Sequence, residues 1–227
     1  MDIIAELGSN PAPHGWPLED YVQAAALTGA TSVKVQCFRA EHFPEWAQAE
    51  KRKVEFPRAR LGEFARLAHA YGLAAGASVF DAEAVELCAQ ELDFLKLAAR
   101  EQHDYGLGCL CMHSGKRLYR SISEDKAFMD YGYTYQGGAV LWAIQKYPAG
   151  MIESILTLLH AARLFKSHGK RWGWSSHTRG WLDVTLAARL GASVAEKHFA
   201  LSADDPEAGH SPMPAQFKRM VKRINGK

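Results

Sequence analysis

Residues 73 to 98 read LAAGASVFDAEAVELCAQELDFLKLA, and they decide the fold. Leu73 to Phe80 is a short apolar run, as a buried strand requires. Asp81 ends that stretch, and Ala82 to Gln90 then reads as a helix. Phe94 to Ala98 is a second apolar run. Two buried strands joined by a helix make a parallel β-α-β unit.

The same alternation continues in both directions. Upstream, strands are expected at Ile3 to Leu7 and Ser32 to Phe38, with helices at Pro17 to Leu27 and Ala59 to Tyr71. Downstream, strands are expected at Arg117 to Ile122, Ala139 to Ile144, from Arg171 to Trp174, and at Ser193 to Ala200. Helices follow at Gln102 to His113, Glu124 to Asp130, Ile152 to Phe165, Leu182 to Leu190 and Pro214 to Ile224. Strict alternation of this kind closes an α/β (β/α)8 TIM barrel. An open doubly wound sheet normally carries G-x-G-x-x-G after its first strand, and Gly8-Ser9-Asn10 does not provide it. A chain of 227 residues fits one barrel domain over residues 1–227. Glu41 to Arg58 is the longest irregular stretch and is expected to be a lid-type loop.

The composition excludes several classes. Twenty-seven basic and 25 acidic residues leave a net charge of +2, too balanced for a nucleic-acid footprint. Lys51, Arg52 and Lys53 read as a solvated loop or helix face. No run reaches the roughly 18 apolar residues of a membrane span, and the N-terminus lacks the basic and apolar regions of a secretion signal. Cys37, Cys88, Cys109 and Cys111 form no C-x-x-C pair, which suits a reducing compartment. A cytoplasmic location is therefore expected.

Polar residues at the strand ends point to function, because chemistry in such barrels sits at the C-terminal ends of the strands. Glu6 ends strand one, and Lys34 and Gln36 share a face of strand two. Ser78 ends strand three, Lys96 lies on strand four and Glu101 follows it. Ser121 ends strand five, Gln145 and Tyr147 end strand six, and Ser175 and His177 end strand seven. Glu196 and His198 share a face of strand eight. A buried lysine is costly unless paired or given an anion. Lys34 and Lys96 near Ser78, Ser121 and Ser175 therefore form a cradle for phosphate and carboxylate groups. Neutral imidazoles at His177 and His198 suit a divalent ion, or else cap the strand ends by hydrogen bonds.

Several segments resemble the sialic acid synthases of the N-acetylneuraminate synthase type. Ile3 to Asn10 (IIAELGSN) is similar to their opening strand, and Val33-Lys34-Val35-Gln36 to their V-K-x-Q strand. Ser175-Ser176-His177-Thr178 resembles S-D-H-T, and Glu196-Lys197-His198-Phe199 matches E-K-H-F. Lys96 to Glu101 is a looser match to K-I-x-S-G-E, and Tyr147-Pro148 falls where the family has Y-P. The resemblance spans the barrel and does not include the family's C-terminal antifreeze-like domain. It implies an enzyme that condenses phosphoenolpyruvate with an open-chain amino-sugar aldehyde and releases phosphate. It further implies a divalent ion on His177 and His198, manganese foremost, with magnesium or cobalt as alternatives. Lys34, Lys96, Ser78, Ser121 and Ser175 would hold phosphoenolpyruvate. Glu6, Gln36, Glu101 and Tyr147 would lie near the sugar or the attacking water. A homodimer is compatible with it.

The departures are specific. Ala99-Arg100 stands for Ser-Gly, Ser121-Ile122-Ser123 for Ser-Thr-Gly, Gln145 for asparagine and Ser176 for aspartate. Pro206 to His210 (PEAGH) stands for P-G-P-D-H and lacks its aspartate. The phosphoenolpyruvate half of the site is largely kept and the sugar half altered, so a different acceptor is expected. Arg100 could supply the missing phosphate contact, since guanidinium suits bidentate anion binding. Two alternatives remain: a Schiff-base lyase or aldolase using Lys96, and a catalytically silent barrel that binds a ligand or scaffolds a complex.

Overall fold

The computed structural model describes residues 1–131 and 137–226. Eight parallel strands close a barrel in sequence order, with β1 (Asp2–Glu6) pairing both β2 (Ser32–Cys37) and β8 (Val194–His198). Between them lie β3 (Ala74–Val79), β4 (Phe94–Leu97), β5 (Arg117–Ile122), β6 (Ala139–Ala143) and β7 (Trp172–Ser176). The helices are α1 (Leu18–Thr28), α2 (Glu45–Arg52), α3 (Leu61–Ala70), α4 (Ala82–Glu91) and α5 (Tyr105–His113). They continue with α6 (Asp125–Tyr131), α7 (Met151–Ser167), α8 (Leu182–Arg189) and α9 (Pro214–Ile224).

The expected barrel is present, and its helix starts have local causes. Asp81 caps α4 by accepting from the Ala84 amide at 2.7 Å, and Asp104 caps α5 through the Leu107 amide at 2.8 Å. The second cap explains why α5 begins at Tyr105 and not at Gln102. The stretch expected as an irregular lid contains α2, which buries only Ala47 and leaves Trp46 exposed. So few buried apolar positions leave almost no helical signal in the sequence.

The outward faces of the strands build the main core. Val33, Val35, Leu95, Leu97, Trp142 and Trp174 pack there against helices with residues such as Tyr21, Phe64 and Phe165. Each fully buried side chain of this kind contributes roughly 1.5–3 kcal/mol. Inside the barrel, Ile4, Phe94, Tyr119, Ala139, Leu141 and Val194 form a separate apolar layer. Phe94 meets Tyr119 edge-on at 5.3 Å, and it fills the space left by Gly76, where a Cβ would come within 2.1 Å of the Phe94 ring. Among the described residues no helix is long and apolar enough to cross a membrane. All four cysteines are free, and only Cys109 is exposed.

Candidate active site at the barrel mouth

Two residues beyond the apolar layer, the inward faces turn polar. The register sets Glu6 beside Lys34 and His198, Ser78 beside Gln36 and Lys96, and Ser175 beside Glu196. These side chains line a cavity of about 420 Å3.

Its floor is a buried ionic network. Lys34 pairs with Glu6 and donates to the Ser78 hydroxyl at 2.7 Å. Lys96 pairs with Glu196 Oε1 at 2.5 Å, and Ser175 donates to the same oxygen at 2.9 Å. Lys34 also lies 3.7 Å from Glu196 Oε2, so one carboxylate links both lysines. Burial pushes the Lys34 ammonium down from 10.5 to about 7, opposed mainly by Glu196. Lys34 and Lys96 hold Glu196 well below the usual carboxylate range despite its burial. The Ser121 hydroxyl is buried without a hydrogen-bond partner, whereas Glu6 Oε2 and Glu196 Oε2 face the Lys34 ammonium. Buried polar atoms normally have partners, so the unmet Ser121 hydroxyl suits a polar ligand. Lys96 Nζ is tied to Glu196, which opposes a Schiff-base role, since imine formation needs an amine free to attack a carbonyl.

A histidine corner stands over β6 to β8. His177 Nδ1 lies 2.6 Å from the Ile144 carbonyl, which can only accept, so Nδ1 carries the proton and Nε2 the lone pair. Burial lowers the pKa of His177 well below its ordinary value, with His198 adding to the effect, so the ring stays neutral. His198 Nδ1 likewise donates to Glu207 Oε2 at 2.7 Å. Carboxylate and carbonyl partners of this kind orient metal-ligating imidazoles. The two rings lie 5.5 Å apart, and Tyr147 packs 4.2 Å from His177. The Tyr147-Pro148 peptide is cis.

The sequence reading missed Glu207 and His210. Their donor atoms and those of His198 lie within 4.8 Å of one another. His210 Nε2 is buried without a partner, and burial lowers this imidazole to about 4. Glu207 is fixed by amides, with Ser9 N donating to Oε1 at 3.2 Å and its own amide donating to Asn10 Oδ1 at 2.8 Å. The orphaned His210 nitrogen, with His198 and a carboxylate beside it, fits a divalent cation. The available signal was the PEAGH loop, whose role depends on where it folds back.

Not every expected residue reaches the cavity. Glu6, Lys34, Gln36, Ser78, Lys96, Arg100, Ser121, Gln145, Tyr147, Ser175, His177 and His198 line it, whereas Glu101 does not. Glu101 instead accepts from Arg100 Nε at 2.6 Å. Lys51, expected on a solvated face, also lines the cavity, together with Phe43 and Phe80. The other motif residues serve the scaffold outside the barrel. Lys197 donates to the Ser176 hydroxyl at 3.2 Å and to the Thr178 carbonyl. Thr178 and Trp174 bind Asp183 of α8 at 3.0 and 2.8 Å, anchoring the turn that carries His177.

Comparison with known proteins bears on the family and the fold. Residues 21–226 match the NeuB family. Pseudaminic acid synthase of Helicobacter pylori is 32% identical over 137 residues, which are 59% of this chain and 38% of that protein. N,N'-diacetyllegionaminic acid synthase of Legionella pneumophila is 27% identical over 98% of this chain and 70% of its own. Among solved structures, a sialic acid synthetase from Leptospira borgpetersenii superposes with a TM-score of 0.90 at 20% identity, covering 99% of this chain and 82% of that one. A DAHP synthase from Thermotoga maritima gives 0.76 at 12% identity, covering 100% and 68%.

Proposed function

Because the chain belongs to the NeuB family, we propose that it condenses phosphoenolpyruvate with an aldehyde acceptor. The methylene carbon of the enol bonds to the aldehyde carbon, one water is consumed and inorganic phosphate leaves. The observation that carries this reading is the pairing, in one mouth, of a lysine-serine floor with two imidazoles whose Nδ1 protons are already committed.

Phosphoenolpyruvate lies on the floor, its anionic groups taken by Lys34, Lys96, Ser78, Ser121 and Ser175. The two lysines offset charge that develops as phosphate departs. Each arrives paired with a glutamate, so the ligand enters a neutral site and adds hydrogen bonds to donors already in place. Gln36, Gln145 and Tyr147 flank the acceptor, and Glu6 faces the reacting centre. Glu101 acts by orienting Arg100. His177 and His198 would hold a divalent ion, manganese by resemblance to the family, with Glu207 orienting His198. When bound, that ion supplies Lewis-acid polarisation of the aldehyde oxygen. Holding the two carbons together supplies the remaining acceleration through proximity.

Calorimetric titration of phosphoenolpyruvate into metal-free and manganese-loaded protein tests the reading. Binding that tightens with manganese is expected, and aldehydes are then screened by phosphate release. His177→Ala and His198→Ala should each reduce metal-dependent turnover by roughly 1,000-fold or more, the scale of several kcal/mol of Lewis-acid stabilisation. No phosphoenolpyruvate binding in either form would overturn the reading and leave a silent ligand-binding barrel as the better description.

A further inference from the structure

The mouth carries four cations in two tiers. The inner tier, Lys34 and Lys96, is buried and matched by Glu6 and Glu196. The outer tier, Lys51 and Arg100, comes from α2 and from the turn after β4. Both outer cations rest on one ring: Lys51 Nζ lies 4.8 Å and Arg100 Cζ 4.3 Å from the centre of Phe43. Arg100 is also 5.0 Å from the centre of Phe80. All four residues line the cavity.

The outer tier is not balanced as the inner one is. Among the described residues no carboxylate pairs with Lys51. Arg100 commits only Nε, to Glu101, leaving its Nη edge for another acceptor. Helix α2 buries little besides Ala47, so packing of the helix does not account for the placement of Lys51. A free lysine gains rotamer entropy by extending into water. Stacking on aromatic faces instead holds both charges at fixed positions before any ligand arrives.

Position assigns these charges to the second substrate. Phe43, Phe80 and Arg100 follow β2, β3 and β4, across the barrel from His177 and His198 at the ends of β7 and β8. This step rests on the condensation reading, in which phosphoenolpyruvate occupies the floor and the aldehyde oxygen faces the histidines. An open-chain acceptor then crosses the mouth, and its far end meets Lys51 and Arg100. We propose that the acceptor is an aldose carrying a phosphate monoester at the end remote from its aldehyde, bound by Lys51 and Arg100. Arg100 thereby serves the acceptor and not phosphoenolpyruvate. Two cations, one a planar fork, suit a phosphate dianion.

The test is calorimetry on metal-free protein, with and without phosphoenolpyruvate, using D-ribose 5-phosphate, D-ribose and D-glucuronate as probes. The phosphorylated aldose should bind at least tenfold more tightly than D-ribose. Lys51→Ala and Arg100→Ala should each reduce that preference, and the double variant should abolish it, while phosphoenolpyruvate affinity stays within a few-fold. Equal affinity for the two riboses, no binding of either, or a preference that survives the double variant overturns the proposal. Tighter binding of D-glucuronate overturns the phosphate assignment in favour of a carboxylate. Phosphoenolpyruvate binding without discrimination between the riboses defeats this inference alone. Discrimination through Lys51 and Arg100 in protein that does not bind phosphoenolpyruvate defeats the condensation reading and keeps the anion site.

Discussion

At the lower end of the barrel, Ile4, Phe94, Tyr119 and Val194 close on one another as a dry layer. Two residues further along the same strands, the same inward face presents Glu6, Lys96, Ser121 and Glu196. Backbone geometry is shared, because side chains on one strand face repeat every second residue. What differs is the use of the space. The lower layer removes apolar area from water and fills the barrel. The upper layer sets charges against charges, an arrangement whose net contribution to stability is small once desolvation is counted. An ionic layer is therefore better explained by ligand chemistry than by folding.

The sharpest way to break this division is to empty the lower layer. Phe94→Ala should cost about 3–5 kcal/mol in urea unfolding, and Gly76 offers no side chain to refill the space. The folded fraction should still bind phosphoenolpyruvate with little change. Loss of that binding in protein that remains folded would show that the layers are not separable.

A second probe acts only on the upper layer. Glu207→Gln keeps the shape of the side chain but weakens the carboxylate that orients His198. Manganese affinity, read by chelator competition, should fall roughly 10–100-fold, while the urea midpoint moves little. A large loss of stability with unchanged metal affinity would make Glu207 a structural residue.

The smallest effect expected is a proton. Lys34 titrates near 7 because it is buried, and an incoming anion favours its charged form. Phosphoenolpyruvate binding should therefore take up a proton just above that pH. It should weaken by roughly fivefold over the next pH unit, as measured in buffers of different ionisation enthalpy. The sign for folding is opposite. A buried lysine depressed from 10.5 to about 7 is a full burden below 7, and stability rises as pH increases through that window. Proton uptake that persists in Lys34→Met would move the effect to another group.

Much of this site was readable in one dimension. Lys34 and Lys96 stand out because each puts a charge into an otherwise apolar strand, and His177 and His198 because they sit at strand ends inside recognisable motifs. The errors have a common cause. Glu101 follows a cavity lysine closely in sequence, but the turn after β4 directs it to Arg100. Lys51 lies in a basic run that reads as solvated, yet α2 sets it over Phe43. Glu207 and His210 sit in a loop with no periodicity to read, and contacts to Ser9, Asn10 and His198 place them in the site.

The amino-acid sequence by itself determined the alternation of strand and helix, the closure into a barrel and the inward face of each strand, because hydrophobic periodicity is local and survives without coordinates. Only the tertiary structure decided which charges meet. Lys96 and Glu196 are 100 positions apart and join through one carboxylate oxygen. Lys51 and Arg100 meet on a single aromatic ring. Such pairings depend on barrel closure and on how loops return over the mouth, and Coulomb and hydrogen-bond energies act through space, without regard to distance along the chain.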